Sequence, residues 1–161
     1  MKKTFVSTVI ALLLLMVLVS TTFAAPALGG KSLLLKGSLQ AYETRQIVPP
    51  TTMLVNATGS GNATQFGLFT LSFQATVNLP TLSGPVSATY VAANGDSLFA
   101  EGWGQGTLTE TPGVVSIVET YTITGGTGRF ADGKGSFTVE RLLDRATGIS
   151  SGTISGTVVL P

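Results

Sequence analysis

Between Phe69 and Leu79 the chain alternates without a break: Phe69, Leu71, Phe73, Ala75, Val77 and Leu79 are apolar, and Thr70, Ser72, Gln74, Thr76 and Asn78 are polar. Successive side chains of a strand point to opposite faces, so a period of two held this long requires a half-buried β-strand. The pattern recurs along the chain. Leu33, Leu35, Leu39 and Ala41 share a face in a first strand, and Val86, Ala88, Tyr90 and Ala92 in a fourth. Val115, Ile117, Tyr121 and Ile123 do so in a sixth, Phe137, Val139 and Leu143 in a seventh, and Ile154, Gly156, Val158 and Leu160 in a last. No stretch after residue 27 shows helical periodicity of useful length.

The breaks between these runs are turn chemistry. Asn94-Gly95 is a strong hairpin signal because both residues tolerate positive φ. Asp144-Arg145-Ala146-Thr147-Gly148 reads as a longer hairpin loop, and Pro49-Pro50, Pro80, Gly84-Pro85 and Pro112-Gly113 mark further turns. Eight strands are expected at roughly 32–46, 51–58, 66–79, 85–93, 96–104, 113–124, 135–144 and 148–160. Evenly spaced antiparallel strands with tight turns favour an all-β, eight-stranded up-and-down barrel, whose closure removes exposed strand edges.

The chain opens differently. Met1-Lys2-Lys3 is basic, Val9 to Val19 is unbroken apolar sequence, and Ser20-Thr21-Thr22-Phe23-Ala24-Ala25-Pro26-Ala27 is a small-residue exit. The run is short for a spanning helix, which needs about 20 apolar residues. Residues 1–27 are therefore expected to be a signal peptide cleaved after Ala24 or Ala27, with 28–161 as one barrel domain working outside the cytoplasm, secreted or periplasmic. A retained N-terminal anchor is the alternative. Cleavage removes Lys2 and Lys3 and leaves seven basic against eight acidic side chains. That balance lacks the basic footprint of nucleic-acid binding. Cysteine is absent, so the barrel must hold by packing alone. A small outer-membrane barrel shares the leader and the alternation, but it carries aromatic girdles, and the ten aromatics after residue 27 do not cluster at strand ends.

Histidine is also absent, which removes Ser-His-Asp and Cys-His nucleophile sites and imidazole-ligated metals. No Asp/Glu cluster has calcium-loop spacing, so neither metal nor cofactor is expected. Gly128-Arg129-Phe130-Ala131-Asp132-Gly133-Lys134 imitates a phosphate-binding loop, but Gly135 stands where Ser or Thr must follow, and a strand pattern succeeds it instead of a helix. A glycine-rich corner with Phe130 plugging one end of a barrel fits it better. Two acids lie on apolar faces: Glu43 has the parity of Leu39 and Ala41, and Glu119 that of Ile117 and Tyr121. Each is either buried beside a cation (Arg45, Arg129 or Arg141) or open to a cavity, where it would suit acid–base work. Trp103, in Gly102-Trp103-Gly104-Gln105-Gly106, is a candidate to stack on a ligand at a barrel mouth.

The run Glu119-Thr120-Tyr121-Thr122-Ile123-Thr124-Gly125-Gly126-Thr127-Gly128-Arg129-Phe130, followed by Gly133 and Gly135, resembles the allene oxide cyclase and dirigent barrels. Their strand likewise enters a Gly-Gly-(Ser/Thr)-Gly-x-Phe corner. Ala93-Asn94-Gly95-Asp96 and Phe66-Gly67-Leu68-Phe69-Thr70 are similar to turns and strands of exported bacterial proteins of this kind. The resemblance implies an eight-stranded calycin-type barrel with an apolar cavity, which some members use to steer cyclisation or radical coupling. It also sets Tyr42-Glu43 beside the Tyr-Glu pair that gives the cyclases a cavity carboxylate, although Arg45 stands where they have Asn. The expectation is a barrel binding a small apolar molecule through Tyr42, Glu43, Trp103, Glu119 and Tyr121. The alternatives are a cofactor-free cyclase or isomerase using Glu43, and an oligomeric surface protein with a filled barrel. A small apolar ligand and a second copy of the chain are the candidate partners, with membrane contact only through the leader.

Overall fold

A computed structural model describes residues 30–161, so the expected leader lies outside the described residues. Eight antiparallel strands follow in order: β1 (Lys31–Val48), β2 (Thr52–Ala63), β3 (Gly67–Asn78), β4 (Ser83–Ala92), β5 (Ser97–Leu108), β6 (Val114–Gly126), β7 (Lys134–Asp144) and β8 (Ile149–Leu160). Each pairs with its neighbour in sequence, and β8 returns to β1, closing the barrel. The long β1 makes the closure possible. Its residues 31–42 pair with β8 and its residues 37–48 pair with β2, an offset that supplies the stagger a closed sheet needs.

Two strands run longer than the sequence pattern suggests. β2 continues to Ala63 where an end near residue 58 is expected, and β5 continues to Leu108 where an end near 104 is expected. Both extensions are glycine-rich and read as loop. In β2, Gly59 and Gly61 occupy inward positions with no room for a side chain, whereas an added Cβ at Gly106 of β5 would lie 3.3–3.4 Å from Leu82 and Val115, beside the cavity. At Gly61 an added Cβ would lie within 2.9 Å of two atoms of the Phe69 ring. Between β6 and β7 the glycine corner forms a 3-10 turn at Gly128–Phe130, and Phe130 is fully buried. A bulge opposite Phe99 and Ala100 bends β6 into that corner.

The inward residues divide the interior into two halves. The end ringed by the β2–β3, β4–β5 and β6–β7 turns is filled by aromatics. Phe66 packs on Phe130 at 5.1 Å between centroids, and Phe137 stacks on Tyr121 at 5.0 Å and meets Tyr90 edge-on at 5.5 Å. Each such pair contributes about 0.5–1.5 kcal/mol beyond area burial. Along β3 the inward side chains then shrink, from Phe69, Leu71 and Phe73 to Ala75 and Val77. Opposite them β4 and β5 present Gly84, Gly104 and Gly106. The other half is therefore left partly hollow.

The outer face carries polar rows. Thr44, Asn56, Gln74, Ser87 and Glu101 are cross-strand partners in succession from β1 to β5. This reverses the apolar-out, polar-in alternation of a transmembrane barrel.

Candidate functional site

Strand parity turns Glu43 (β1), Glu119 (β6), Arg141 (β7) and Ser150 (β8) into the barrel, where all four are at most 5% exposed. Burying an ionised group costs several kcal/mol unless it is paired and hydrogen-bonded, and here pairing is complete. Arg141 Nη2 donates to Glu119 Oε1 at 2.8 Å and its Nε to Oε2 at 3.3 Å, a two-pronged contact with one carboxylate. Its Nη1 reaches across β8 to ion-pair with Glu43 Oε1 and donates to Ser150 Oγ at 3.2 Å. Tyr121 Oη donates to Glu119 Oε2 at 3.3 Å. The guanidinium carbon sits 4.8 Å from the centroid of the Phe73 ring, so the cluster rests on the last large side chain of β3. Among the described residues no buried side-chain N or O lacks a partner.

The cluster contains two carboxylates and one guanidinium, and its field reaches the nearby phenols. Burial pushes the Tyr121 hydroxyl well above the ordinary tyrosine range, and the Glu119 charge pushes it further, against a smaller opposing effect of Arg141. Tyr90 is shifted the same way for the same leading reason.

Above this floor lies a cavity of about 140 Å³. Its walls are apolar: Met53, Val55, Val77, Val86, Val115, Ile117 and Leu143. Its mouth is bordered by Leu82, Leu108, Arg45 and Arg145. Arg45 Nη2 donates to the Arg145 carbonyl oxygen at 2.7 Å, which holds that guanidinium across from β1 to the β7–β8 turn. The alternative of a filled barrel thus describes the aromatic half only. Among the described residues, no three His, Cys, Asp or Glu side chains converge as metal ligands would.

Of the residues singled out in the sequence, Glu43, Glu119 and Tyr121 come together on the floor. Tyr42 and Trp103 do not join them. Tyr42 alternates with the inward Ala41 and Glu43, and Trp103 with the inward Gly102 and Gly104, so both face outward, at 55% and 57% exposure. Tyr42 borders an outer hollow of about 630 Å³ over Thr58, Ser72 and Thr89, a solvent-open saddle with no buried polar group. Arg141 is one of three candidate cations for the acids; parity with Val139 and Leu143 turns it inward, as parity with Ala41 and Glu43 turns Arg45 toward the cavity. Ser150 carries the same signal, sharing the parity of Ile154, yet a lone serine at a strand start looks like turn chemistry and escapes notice. Arg45 and Arg145 line the cavity without pairing to an acid: among the described residues both ion pairs belong to Arg141.

No family model and no curated protein matches the chain. Among solved structures, a pterocarpan synthase dirigent protein matches with a TM-score of 0.60 at 15% identity, over 84% of this chain and 94% of that one. At that identity the likeness is one of fold. The chain has a dirigent-like eight-stranded barrel.

Proposed function

We propose that this chain is an exported barrel protein that binds a small apolar molecule, about one ring in size, in the open half of its barrel. The observation that carries this reading is the apolar-walled cavity of about 140 Å³ above a fully satisfied polar floor. Pockets for drug-sized ligands run about 300–1,000 Å³, so this one is too small for a multi-ring compound. An apolar cavity of about 150 Å³ accepts benzene, which sets the scale of the occupant. The dirigent-like barrel supports the reading through its architecture alone.

The test is a titration with benzyl alcohol followed by backbone amide shifts. Saturable shifts clustered on Val77, Val86 and Ile117 are expected, and they disappear in Ala75→Phe, which fills the cavity. Absent shifts, or shifts that Ala75→Phe leaves intact, contradict the proposal. Export is tested on the same preparation by N-terminal sequencing of secreted material: a start at Ala25 or Leu28 is expected, and retention of Met1–Val19 contradicts it.

The Glu43 carboxylate at the cavity floor favours a second reading, cofactor-free cyclisation or isomerisation with Glu43 as the acid–base group. A Glu43→Gln variant that still binds a compound but no longer converts it supports that reading. A bound compound that the unaltered chain leaves unchanged speaks against it.

A further inference from the structure

The cavity is apolar along its walls but opposite in charge at its two ends. At the mouth stand two guanidiniums, Arg45 and Arg145, and neither has a carboxylate within 4.0 Å among the described residues. The nearest acid of the turn, Asp144, bonds mainly within the turn: its Oδ1 accepts the Ala146 N–H at 2.8 Å and it is hydrogen-bonded to Thr147, and the Arg45 charge acts on it only as the smallest of these influences. Arg45 is half-buried and commits one of its five donors to the Arg145 carbonyl. Among the described residues, the remaining donors of both side chains make no hydrogen bond, which leaves them to engage something at the rim. At the floor, two carboxylates face one guanidinium, and the Glu119 charge outweighs that of Arg141 at both buried tyrosines.

We propose that Arg45 and Arg145 form an anion-selecting collar, so that the ligand is a small monocarboxylate held with its charged head at the rim and its ring-sized apolar body inside. This rests on the binding reading above and adds charge and orientation to it. An inserted carboxylate would meet Glu43 and Glu119 in a poorly screened interior, whereas one left at the rim meets two guanidiniums against the single, solvent-screened carboxylate of Asp144. The apolar walls between leave the body no polar partner, which suits a ring or short hydrocarbon.

Three compounds of one shape and different charge test it: benzoate, benzyl alcohol and benzylammonium, each titrated at neutral pH against the intact protein by amide shifts. Benzoate is expected to bind about fivefold or more tighter than benzyl alcohol, with benzylammonium weakest. Arg145→Gln, on the exposed turn, and Arg45→Gln should each bring benzoate toward the affinity of benzyl alcohol. Sodium chloride at about 0.5 M should narrow the same gap by screening the collar. Benzyl alcohol binding with benzoate no tighter, or benzylammonium binding best, overturns the collar and leaves the pocket standing. Failure of all three to bind overturns the pocket itself.

Discussion

Arg141 is the side chain on which the interior most depends, because it pairs with both Glu119 and Glu43, three residues on three strands. Removing one partner of a buried ion cluster leaves uncompensated charge, at a cost of about 3–5 kcal/mol. Arg141→Met is therefore expected to lower the unfolding free energy by that amount in urea at neutral pH, and a loss under about 1 kcal/mol would show that the carboxylates find other partners. Replacing all three charges with apolar residues should recover most of the loss, since a filled apolar site avoids the desolvation cost. Tyr90 gives a prediction in pH. Burial, then the Glu119 charge, favours its neutral phenol in the folded barrel. Stability is thus intact below the ordinary tyrosine pKa of 10.0 and falls above it, because the unfolded chain releases a proton that the folded one keeps. Each buried tyrosine contributes a slope of about 1.4 kcal/mol per pH unit there. Tyr90→Phe should remove one such share from the alkaline unfolding curve, and an unchanged slope would contradict the burial of its hydroxyl. At this scale strand parity is a good guide. It places Glu43 and Glu119 inside, and the same rule applied to Tyr42 and Trp103 puts them outside. Their aromatic character suggests ligand contact, and the side of the strand decides against it.

Among the strands, alternation locates six of the eight, turn signals bracket β2 and β5, and glycine blurs where those two end. A glycine in sequence signals a turn because it relaxes the backbone, but at Gly59 and Gly61 of β2, Gly102 of β5 and Gly152 and Gly156 of β8 it marks places where the neighbouring strand leaves no room for a Cβ. Gly152 is the clearest case. It is the β8 partner of Arg141, and an added Cβ would lie 2.6 Å from both Arg141 Cα and Cβ. Gly152→Ala should destabilise the barrel by about 1–3 kcal/mol through overpacking. The atoms the added Cβ meets are the Glu140 carbonyl oxygen and Arg141 Cα and Cβ, all of which Arg141→Ala keeps, so the Gly152→Ala loss should persist in that background in a double-mutant cycle. Relief of the loss in that background would place the clash on the Arg141 side chain beyond Cβ instead. The tapering of β3 from Phe73 to Ala75 is equally visible in the sequence. Its consequence is not, because a hollow requires small residues on β4 and β5 at the same height, and register across the sheet is a property of the closed barrel.

For the whole molecule, closure converts one alternating pattern into two unlike halves. Aromatic packing fixes one end and holds the ion cluster at mid-height, and the other end is free to be empty. A chain without disulfides must draw its stability from core packing, which the aromatic end supplies, so a cavity at the opposite end is tolerable. The barrel divides its interior into a filled half that holds it together and an open half that, we propose, takes a ligand. Xenon tests this division most directly, since it enters dry apolar cavities of this size without needing a polar contact. In a crystal pressurised with xenon, density is expected between Val77, Val86 and Ile117 above Arg141, and none among Phe66, Tyr90 and Phe130. Xenon absent from the barrel, or lodged in the aromatic half, would contradict the claim.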